Sequence, residues 1–149
     1  FPVCNSAYLS RLPVPESGGP APARIRPLDE AWLPFLREHY TLVSEEDYLP
    51  RRIRAGVMLG AFVGEEPAGF IGEHEEGSVG LLYVLPSFRR RGIARLLTGR
   101  VLNRMLECGQ VPYAQTKQNN AASLAMQKGL GFTVSTRPVC WLTAEPEPS

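Results

Sequence analysis

The spacing of apolar residues changes at Pro86, and this change constrains the fold more than any other feature of the sequence. Residues 78–85 form a short apolar run that is typical of a strand and ends at the proline. Beyond a basic turn that contains Gly92, apolar residues return at helical spacing, at Ile93, Leu96, Leu97, Val101, Met105 and Cys108. A strand, a glycine turn and a helix in succession predict a chain that mixes sheet and helix.

The rest of the pattern extends this prediction along the chain. A strand at 24–26 precedes two helices, one capped by Asp29 and one beginning at Ser44 and running to about residue 55. Pro34 indicates either a kink in the first helix or its true start. The later segments are a hairpin at 57–63 and 68–74, a strand at 111–116, a helix from Asn119 or Asn120 to 128, and one or two strands within 132–142. This order predicts an α/β fold, a mixed sheet covered by helices.

Composition divides the chain into three parts. Residues 1–22 are rich in Pro, Gly and Ser, and we expect an arm or linker from an upstream segment, with a short strand at Tyr8 and Leu9. A single compact domain is expected over residues 23–143, a length that can bury a core. The acidic, Pro-containing residues 144–149 are expected to form a flexible tail.

Charge and cysteine usage exclude several functional classes. Sixteen basic and fifteen acidic residues give a net charge of +1, which argues against nucleic-acid binding through bulk charge. No apolar run approaches the roughly 20 residues that span a bilayer, so no membrane partner is expected. The cysteines, Cys4, Cys108 and Cys140, are scattered and odd in number, so neither a disulfide framework nor a metal site is expected. The predicted location is a reducing cytoplasm.

The turn between the strand and the helix carries the chemical signal. Gly92 lets the backbone approach a ligand, and the helix that follows offers unpaired N–H groups to an anion. Arg89, Arg90 and Arg91 add cationic donors suited to phosphate oxygens. Neither a Walker loop nor a three-glycine dinucleotide fingerprint is present. The turn therefore predicts a pyrophosphate cradle, with a solvated run of charge at a helix start as the alternative.

The sequence resembles a known family at this point. The stretch LLYVLPSFRRRGIARLL is similar to the acetyl-CoA binding region of the GCN5-related N-acetyltransferases (GNAT). Within it, RRRGIA at 89–94 matches the pattern of the pyrophosphate loop in that family. The later stretch VPYAQTKQNNAASLAMQKGLGF resembles the fifth strand and following helix of the same superfamily. The FR47-like branch, which includes glycine N-acyltransferase-like proteins, is the most similar. The resemblance covers residues 57–142.

The resemblance implies a fold and a cofactor. It implies a mostly antiparallel sheet, about four helices, and a gap between parallel fourth and fifth strands, here 78–85 and 111–116. Acetyl-CoA would lie in that gap. The residues implied to bind its pantetheine arm are Leu82, Tyr83 and Val84; those implied to bind its pyrophosphate are Arg89, Arg90, Arg91, Gly92, Ile93 and Ala94. Asn120 would contact the cofactor near the thioester, while an N-cap role is equally compatible with its position.

The sequence departs from the family where an acid and a base are expected. Gln127 replaces the frequent tyrosine acid, and Gln115 and Ser78 stand at two positions where members carry a glutamate base. Glu76 is the predicted base, through water, because strand alternation points it to the same face as Ser78. Tyr113 is the predicted acid, with core packing as its alternative.

For the other polar and aromatic residues near the expected site, the sequence allows two alternative roles. His74 has a suitable unperturbed pKa for proton transfer, but its place in the sequence favours a solvated turn histidine. Trp32, Tyr40 and Tyr48 either line the acceptor pocket or belong to the core.

The sequence thus supports two functional hypotheses. The first is an N-acetyltransferase in which a small-molecule or amino-acid amine attacks the thioester of acetyl-CoA directly. The second is a regulatory module of the same fold that binds CoA without efficient catalysis, which Gln115 and Gln127 favour. A basic-patch interaction protein is disfavoured by the near-zero net charge. The resemblance is also compatible with a homodimer.

Overall fold

The computed structural model describes residues 2–16, 23–40, 46–135 and 139–140. The strands are β1 (Pro2–Ala7), β2 (Arg24–Pro27), β3 (Leu59–Val63), β4 (Glu66–Glu73), β5 (Val79–Val84), β6 (Tyr113–Lys117), β7 (Thr133–Val134) and β8 (Val139–Cys140). The helices are α1 (Leu33–His39), α2 (Tyr48–Arg54), α3 (Ile93–Glu107) and α4 (Ala121–Leu130), with 3₁₀ turns at Glu30–Trp32 and Pro86–Phe88.

All the described strands belong to one mixed sheet. Its order is β2-β3-β4-β5-β6-β1-β7, and β8 also pairs with β1. Every recorded pairing is antiparallel except that of β5 with β6. The predicted fold, a mostly antiparallel mixed sheet with one parallel pair and four helices, is therefore confirmed. Because β1 precedes the first predicted strand, β5 and β6 correspond to the fourth and fifth strands of the resemblance.

The parallel strands β5 and β6 separate soon after they meet. Within these two strands, pairing is recorded at one register, Val79 with Ala114. On its other side, β5 pairs with β4 through a register shift between Phe70 and Gly72, and Leu81 takes a positive φ of 53°. The register shift reflects one extra residue in β5, which is a β-bulge. A bulge bends the strand that carries it. The bulge therefore turns the second half of β5 relative to its neighbour, and β6 does not follow.

Two hydrophobic clusters cover the two faces of the sheet. One contains residues of α3, such as Leu97 and Val101, packed against Ile71 of β4. The other places Leu36 of α1 and Ile53 of α2 against Phe70 and Leu81. The bulge in β5 lets Leu81 pack into the α1/α2 cluster while Leu82 packs against the α3 cluster. Side chains from both faces thus reach the point where the sheet opens.

The helix starts resolve one alternative from the sequence. Asp29 caps the 3₁₀ turn with its side chain, and α1 begins at Leu33 with Pro34 in its first turn. Proline is tolerated there because that N–H has no partner inside the helix. Pro34 therefore marks the start of α1 and not a kink. The predicted cap Ser44 lies outside the described residues, and α2 begins at Tyr48.

The N-terminal segment corrects a prediction. Residues 2–7 were expected to lie in an arm, but they form β1, which pairs with β6 from Val3 to Ala7 and on its other side with β7 and β8. Val3 is 2% exposed and Tyr8 is buried against Phe132, so this strand is part of the core. The strand predicted at Tyr8 and Leu9 is wrong in position, because the observed strand ends at Ala7, just before these residues. Proline at position 2 is tolerated because it is the first residue of its strand.

Candidate active site

A cleft of about 340 Å³ opens where β5 and β6 separate. Its walls come from both strands, from α4, from single residues of β1 and α3, and from residues just past the ends of α1, β4 and α4. The lining residues are Val3, Tyr40, His74, Val79, Gly80, Leu81, Leu82, Thr98, Ala114, Gln115, Thr116, Lys117, Asn120, Ser123, Met126, Gln127 and Phe132. The exposed surface of the cleft is mainly apolar, and polar side chains from β6, α3, α4 and the end of β4 also reach it, as is typical of small-molecule sites.

The basic turn lies between the end of β5 and the start of α3. Arg90 and Gly92 both have positive φ, 64° and 78°, so the backbone curls around Arg91 and enters α3 from a left-handed residue. Turns of this kind point successive N–H groups into one concavity that suits an anion. The three arginine side chains are exposed. Glycine at position 92 avoids the cost that a Cβ carries in this conformation.

Contacts with β5 place two of these arginines. Arg89 donates through Nε to the carbonyl oxygen of Val84 at 2.9 Å and lies 5.5 Å from the ring centre of Tyr83. Arg91 lies 5.4 Å from the ring centre of Phe88. The turn is thus held against the open end of β5. Tyr83 itself stacks on Phe70 and packs with the α1/α2 cluster, so its side chain points away from the α3 face.

Asn120 has the N-cap role that its position suggested, and its contact with a cofactor stays a prediction. Its Oδ1 accepts a hydrogen bond from the backbone N–H of Ser123 at 3.2 Å, which caps α4. The same residue lines the cleft. The side chain is therefore held at the helix start and faces the space between the strands.

Gln127 has a structural role that its position in the sequence did not reveal. Its Oε1 accepts from the Ser6 hydroxyl at 2.7 Å, and its Nε2 donates to Oγ1 of Thr116 at 2.9 Å. The side chain is 6% exposed. Both ends of the amide are engaged, and they connect β1, β6 and α4 across the back of the cleft. An amide has no proton to transfer near neutral pH, so Gln127 cannot act as an acid.

The predicted base and acid lie next to each other. Glu76 accepts a hydrogen bond through Oε1 from the hydroxyl of buried Ser78 at 2.6 Å. The Tyr113 hydroxyl donates to the backbone carbonyl oxygen of Glu76 at 2.8 Å. That bond occupies the hydroxyl hydrogen and ties β6 to the turn between β4 and β5. Neither residue is among those that line the cleft.

His74 lies at the opening of the cleft, directly after β4. Its Nδ1 is 2.6 Å from the hydroxyl oxygen of Tyr48 on α2, which also accepts from the backbone N–H of Glu75 at 3.3 Å. Burial lowers the pKa of His74, and nearby Arg52 lowers it further, while Glu76 acts in the opposite direction. The imidazole is therefore neutral at pH 7.

The aromatic residues of the first two helices divide between cleft and core. Tyr40 lines the cleft, and burial, with a smaller effect of Tyr48, raises its pKa to about 12, so its hydroxyl stays protonated. Tyr48 reaches the site through His74. Trp32 packs edge-on against Phe62 in the α1/α2 cluster and belongs to the core.

Several lining residues were not singled out from the sequence. Val3 belongs to β1, which the sequence predicted to be part of an arm. Its place in the wall of the cleft follows only from the pairing of β1 with β6. Lys117, Ser123 and Met126 lie beside predicted residues, and Thr98 lies one turn into α3. A helical spacing pattern gives no signal for which of its residues faces a gap in a sheet.

A comparison with protein families decides the assignment. A model of the acetyltransferase (GNAT) family matches residues 23–132, which is well over half of the chain. The chain belongs to the acetyltransferase (GNAT) family. The match begins after β1 and ends before β7 and β8, so three described strands of this GNAT chain's sheet lie outside the matched region. Comparison with curated proteins finds no match.

Solved structures share the fold. A Drosophila melanogaster protein matches with a TM-score of 0.79 at 22% identity, over 90% of this chain and 48% of its own. The aminoglycoside N-acetyltransferase AAC(6')-Iy, solved with a bisubstrate analogue of CoA, has a TM-score of 0.65 at 21% identity, over 85% of this chain and all of its own. Naa50 from Arabidopsis thaliana, also solved with a bisubstrate analogue, has a TM-score of 0.62 at 20% identity, over 73% of this chain and 82% of its own. The GNAT chain thus spans about half the length of the Drosophila structure.

Among the described residues, no helix is long and apolar enough to cross a membrane. In the same part of the chain, no three His, Cys, Asp or Glu side chains are grouped so that they could hold a metal ion.

Proposed function

We propose that this GNAT chain is an acetyl-CoA-dependent N-acetyltransferase that acts on a small-molecule or amino-acid amine. The observation that carries the proposal is the separation of β5 from β6 beyond Val79 and Ala114, directly beside the basic turn. A gap between neighbouring parallel strands leaves one strand edge available to an extended ligand arm. The turn at its end offers N–H groups and guanidinium groups to a diphosphate.

The residues present fit coenzyme A in three places. Leu82 lines the cleft, and the open edge of β5 continues from it through Tyr83 and Val84. The amide-containing pantetheine arm of coenzyme A can pair with this edge as a strand does. Arg89 to Ala94 would hold the pyrophosphate, and Asn120 faces the cleft from α4. Bound acetyl-CoA supplies a thioester carbonyl that an amine can attack. Orientation of the two reactants can lower the barrier by about 7–11 kcal/mol.

The acceptor is proposed to enter from the α1/α2 face of the sheet. On that side the cleft is lined by Tyr40, His74 and Leu81, a half-buried and mainly apolar surface. The cleft volume of about 340 Å³ has to hold the reactive ends of both substrates, which favours a compact amine. The matched structures include one protein solved with an aminoglycoside analogue and one with a peptide analogue, so the fold accepts both kinds of acceptor.

A second function is favoured by the side chains at the family's acid and base positions. Gln127 is engaged by Ser6 and Thr116, and Gln115 cannot accept a proton, so these residues do not support catalysis. A module that binds CoA and does not turn it over is therefore the alternative. Assignment to the FR47-like branch, a homodimer and a cytoplasmic location remain predictions from the sequence.

Calorimetry and a thiol-release assay test the proposal together. Calorimetry should detect CoA binding to the wild type, and the assay should detect free CoA when acetyl-CoA is mixed with at least one member of an amine library. Binding without release for every amine would favour the regulatory alternative. Absence of binding would reject both functions.

A pair of charge reversals tests the cradle itself. Arg91→Glu should reduce CoA affinity by at least tenfold, because it places a negative charge beside the diphosphate. Arg24→Glu makes the same change on β2, at the far edge of the sheet, and should leave affinity within twofold. Equal affinities for the two variants would show that the turn does not hold the diphosphate.

A further inference from the structure

The ring of His74 is held between α2 and the bulged strand. On one side, Nδ1 is 2.6 Å from the Tyr48 hydroxyl oxygen. On the other side, the ring lies against Gly80, where a Cβ would come within 2.5 Å of both Cδ2 and Nε2. Only glycine leaves room for the imidazole at this position. The Nε2 edge of the ring therefore lies over the backbone of β5, one residue before Leu81, at the start of the cleft.

The hydrogen bonds around Tyr48 allow the ring to present an unprotonated Nε2. A phenol oxygen has two lone pairs and can accept two hydrogen bonds. One comes from the N–H of Glu75 at 3.3 Å, and the other can come from Nδ1–H of His74. With the hydrogen on Nδ1, Nε2 carries a free lone pair on a ring that lines the cleft.

We propose that His74 is the general base of the acetyl transfer and that Tyr48 is its positioning residue. This inference rests on the proposed function and deepens it. As the acceptor nitrogen bonds to the thioester carbon and the carbon–sulfur bond breaks, Nε2 takes one proton from that nitrogen. The sulfur leaves as a thiolate and takes that proton from the imidazolium, directly or relayed through a water molecule. Charge and atoms balance, and the imidazole returns to its neutral form.

The groups that face His74 from each neighbouring element are consistent with this role. Tyr48 and Arg52 face it from α2, and Glu76 from the turn between β4 and β5. Arg52 donates through Nη1 to the carbonyl oxygen of Glu73 at 3.3 Å. Burial and the Arg52 charge keep the ring neutral before the reaction, while the Glu76 charge stabilises the imidazolium once it forms. Glu76 thus supports the base electrostatically from outside the cleft.

Kinetics of three variants test the base role. His74→Gln should lower kcat by about 100-fold or more, which is the usual contribution of a general base. Its Kd for CoA should stay within twofold of the wild-type value. Tyr48→Phe should lower kcat less and move the acid limb of the kcat/KM profile to lower pH, because it removes a hydrogen bond that favours the imidazolium. Glu65→Gln, in the exposed turn between β3 and β4, is the matched control and should behave as the wild type.

The kinetic outcomes separate this inference from the proposed function. Release of thiol by His74→Gln at the wild-type rate would overturn the base role and leave the acetyltransferase intact. A larger loss in Glu76→Gln than in His74→Gln would assign the base to Glu76 and overturn the inference. A wild type that releases no thiol with any amine would reject the acetyltransferase and the base role together.

A spectroscopic measurement gives a readout independent of activity. The chain has two histidines, His39 and His74, so nitrogen-15 spectra of histidine-labelled protein contain two ring systems, and His39→Gln assigns them. In the wild type, His74 should be neutral at pH 7 with its hydrogen on Nδ1. Tyr48→Phe should shift the population toward the Nε2–H tautomer. A wild-type ring with its hydrogen on Nε2 would overturn the base role.

Discussion

Ser6 on β1 and Gln127 on α4 are 121 residues apart in the chain and share a buried hydrogen bond of 2.7 Å. The same glutamine amide donates to Thr116 on β6. One side chain thus fastens the first strand to the strand and the helix that form one wall of the cleft. The residue that replaces the family's frequent tyrosine acid has become a structural connection.

Loss of the Ser6 hydroxyl should destabilise the fold. Ser6→Ala leaves the buried Oε1 of Gln127 without this donor, and an unsatisfied buried acceptor costs about 1–3 kcal/mol. Urea unfolding should show that loss in the free energy of unfolding. Ser10→Ala, at an exposed position on the same segment, is the control and should change it by less than about 0.5 kcal/mol.

A double-mutant cycle identifies the partner of Ser6. In a Gln127→Met background the acceptor is absent, so adding Ser6→Ala should cost close to nothing. An undiminished cost in that background would mean that the Ser6 hydroxyl acts through another group.

The first strand should behave as part of the core. Val3 is 2% exposed, so Val3→Asp buries an unpaired carboxylate and should lower the free energy of unfolding by about 3 kcal/mol or more. Leu9→Asp changes a residue that is 63% exposed and should be neutral within about 0.5 kcal/mol. Similar unfolding midpoints for the two variants would indicate that residues 2–7 are an arm after all.

The contact between Gly80 and the His74 ring makes a steric prediction. Gly80→Ala places a methyl group 2.5 Å from two ring atoms, so the imidazole has to leave its position. We expect a loss of thiol release at least tenfold larger than any loss of CoA affinity. Adding His74→Ala should restore the stability of Gly80→Ala but not its activity.

A second glycine supplies the control for that substitution. Gly129 lies within α4, where an added Cβ meets only the Arg95 guanidinium at 3.5 Å. Gly129→Ala should keep or raise stability by up to about 1 kcal/mol, because alanine favours helices. Equal effects of the two substitutions on thiol release would mean that the His74 ring is not displaced in Gly80→Ala.

His74 should make stability depend on pH in a defined direction. Burial lowers its pKa in the folded protein below the value of about 6.5 in the unfolded chain. Between these two values the unfolded state binds more protons, so stability rises with pH there. The full contribution is present above about pH 6.5 and is lost as pH falls toward the folded pKa.

Urea unfolding at a series of pH values checks this effect. The difference in unfolding free energy between wild type and His74→Gln should be constant above pH 7 and should move in favour of the variant as the pH falls below 6.5. A difference that does not change with pH would show that the folded and unfolded pKa values of His74 are the same.

The order of the elements from β2 to α4 followed from local signals. The apolar run at 78–85, the period of 3.6 after Ile93, and Gly92 between them are properties of short segments, and local sterics decide them. For the same reason the position of the basic turn and of Asn120 at a helix start could be predicted. The family resemblance placed the strand gap, because the two motifs that carry it flank that gap.

The role of the first strand and of the His74 environment could not be found in this way. Pro2–Ala7 resembles a linker in composition, and it becomes a strand because the edges of β6 and β7 satisfy its backbone groups. His74 differs from a solvated turn histidine only through Tyr48 on α2 and Gly80 on β5.

By itself, therefore, the sequence determined the alternation of strands and helices and the chemistry of the turn, since these depend on neighbouring residues. Only the tertiary structure decided which strand completes the sheet, that Gln127 is a buried connection, and which polar ring faces the cleft. Those outcomes depend on contacts between residues far apart in the chain, where burial and hydrogen-bond partners are set by the packed whole.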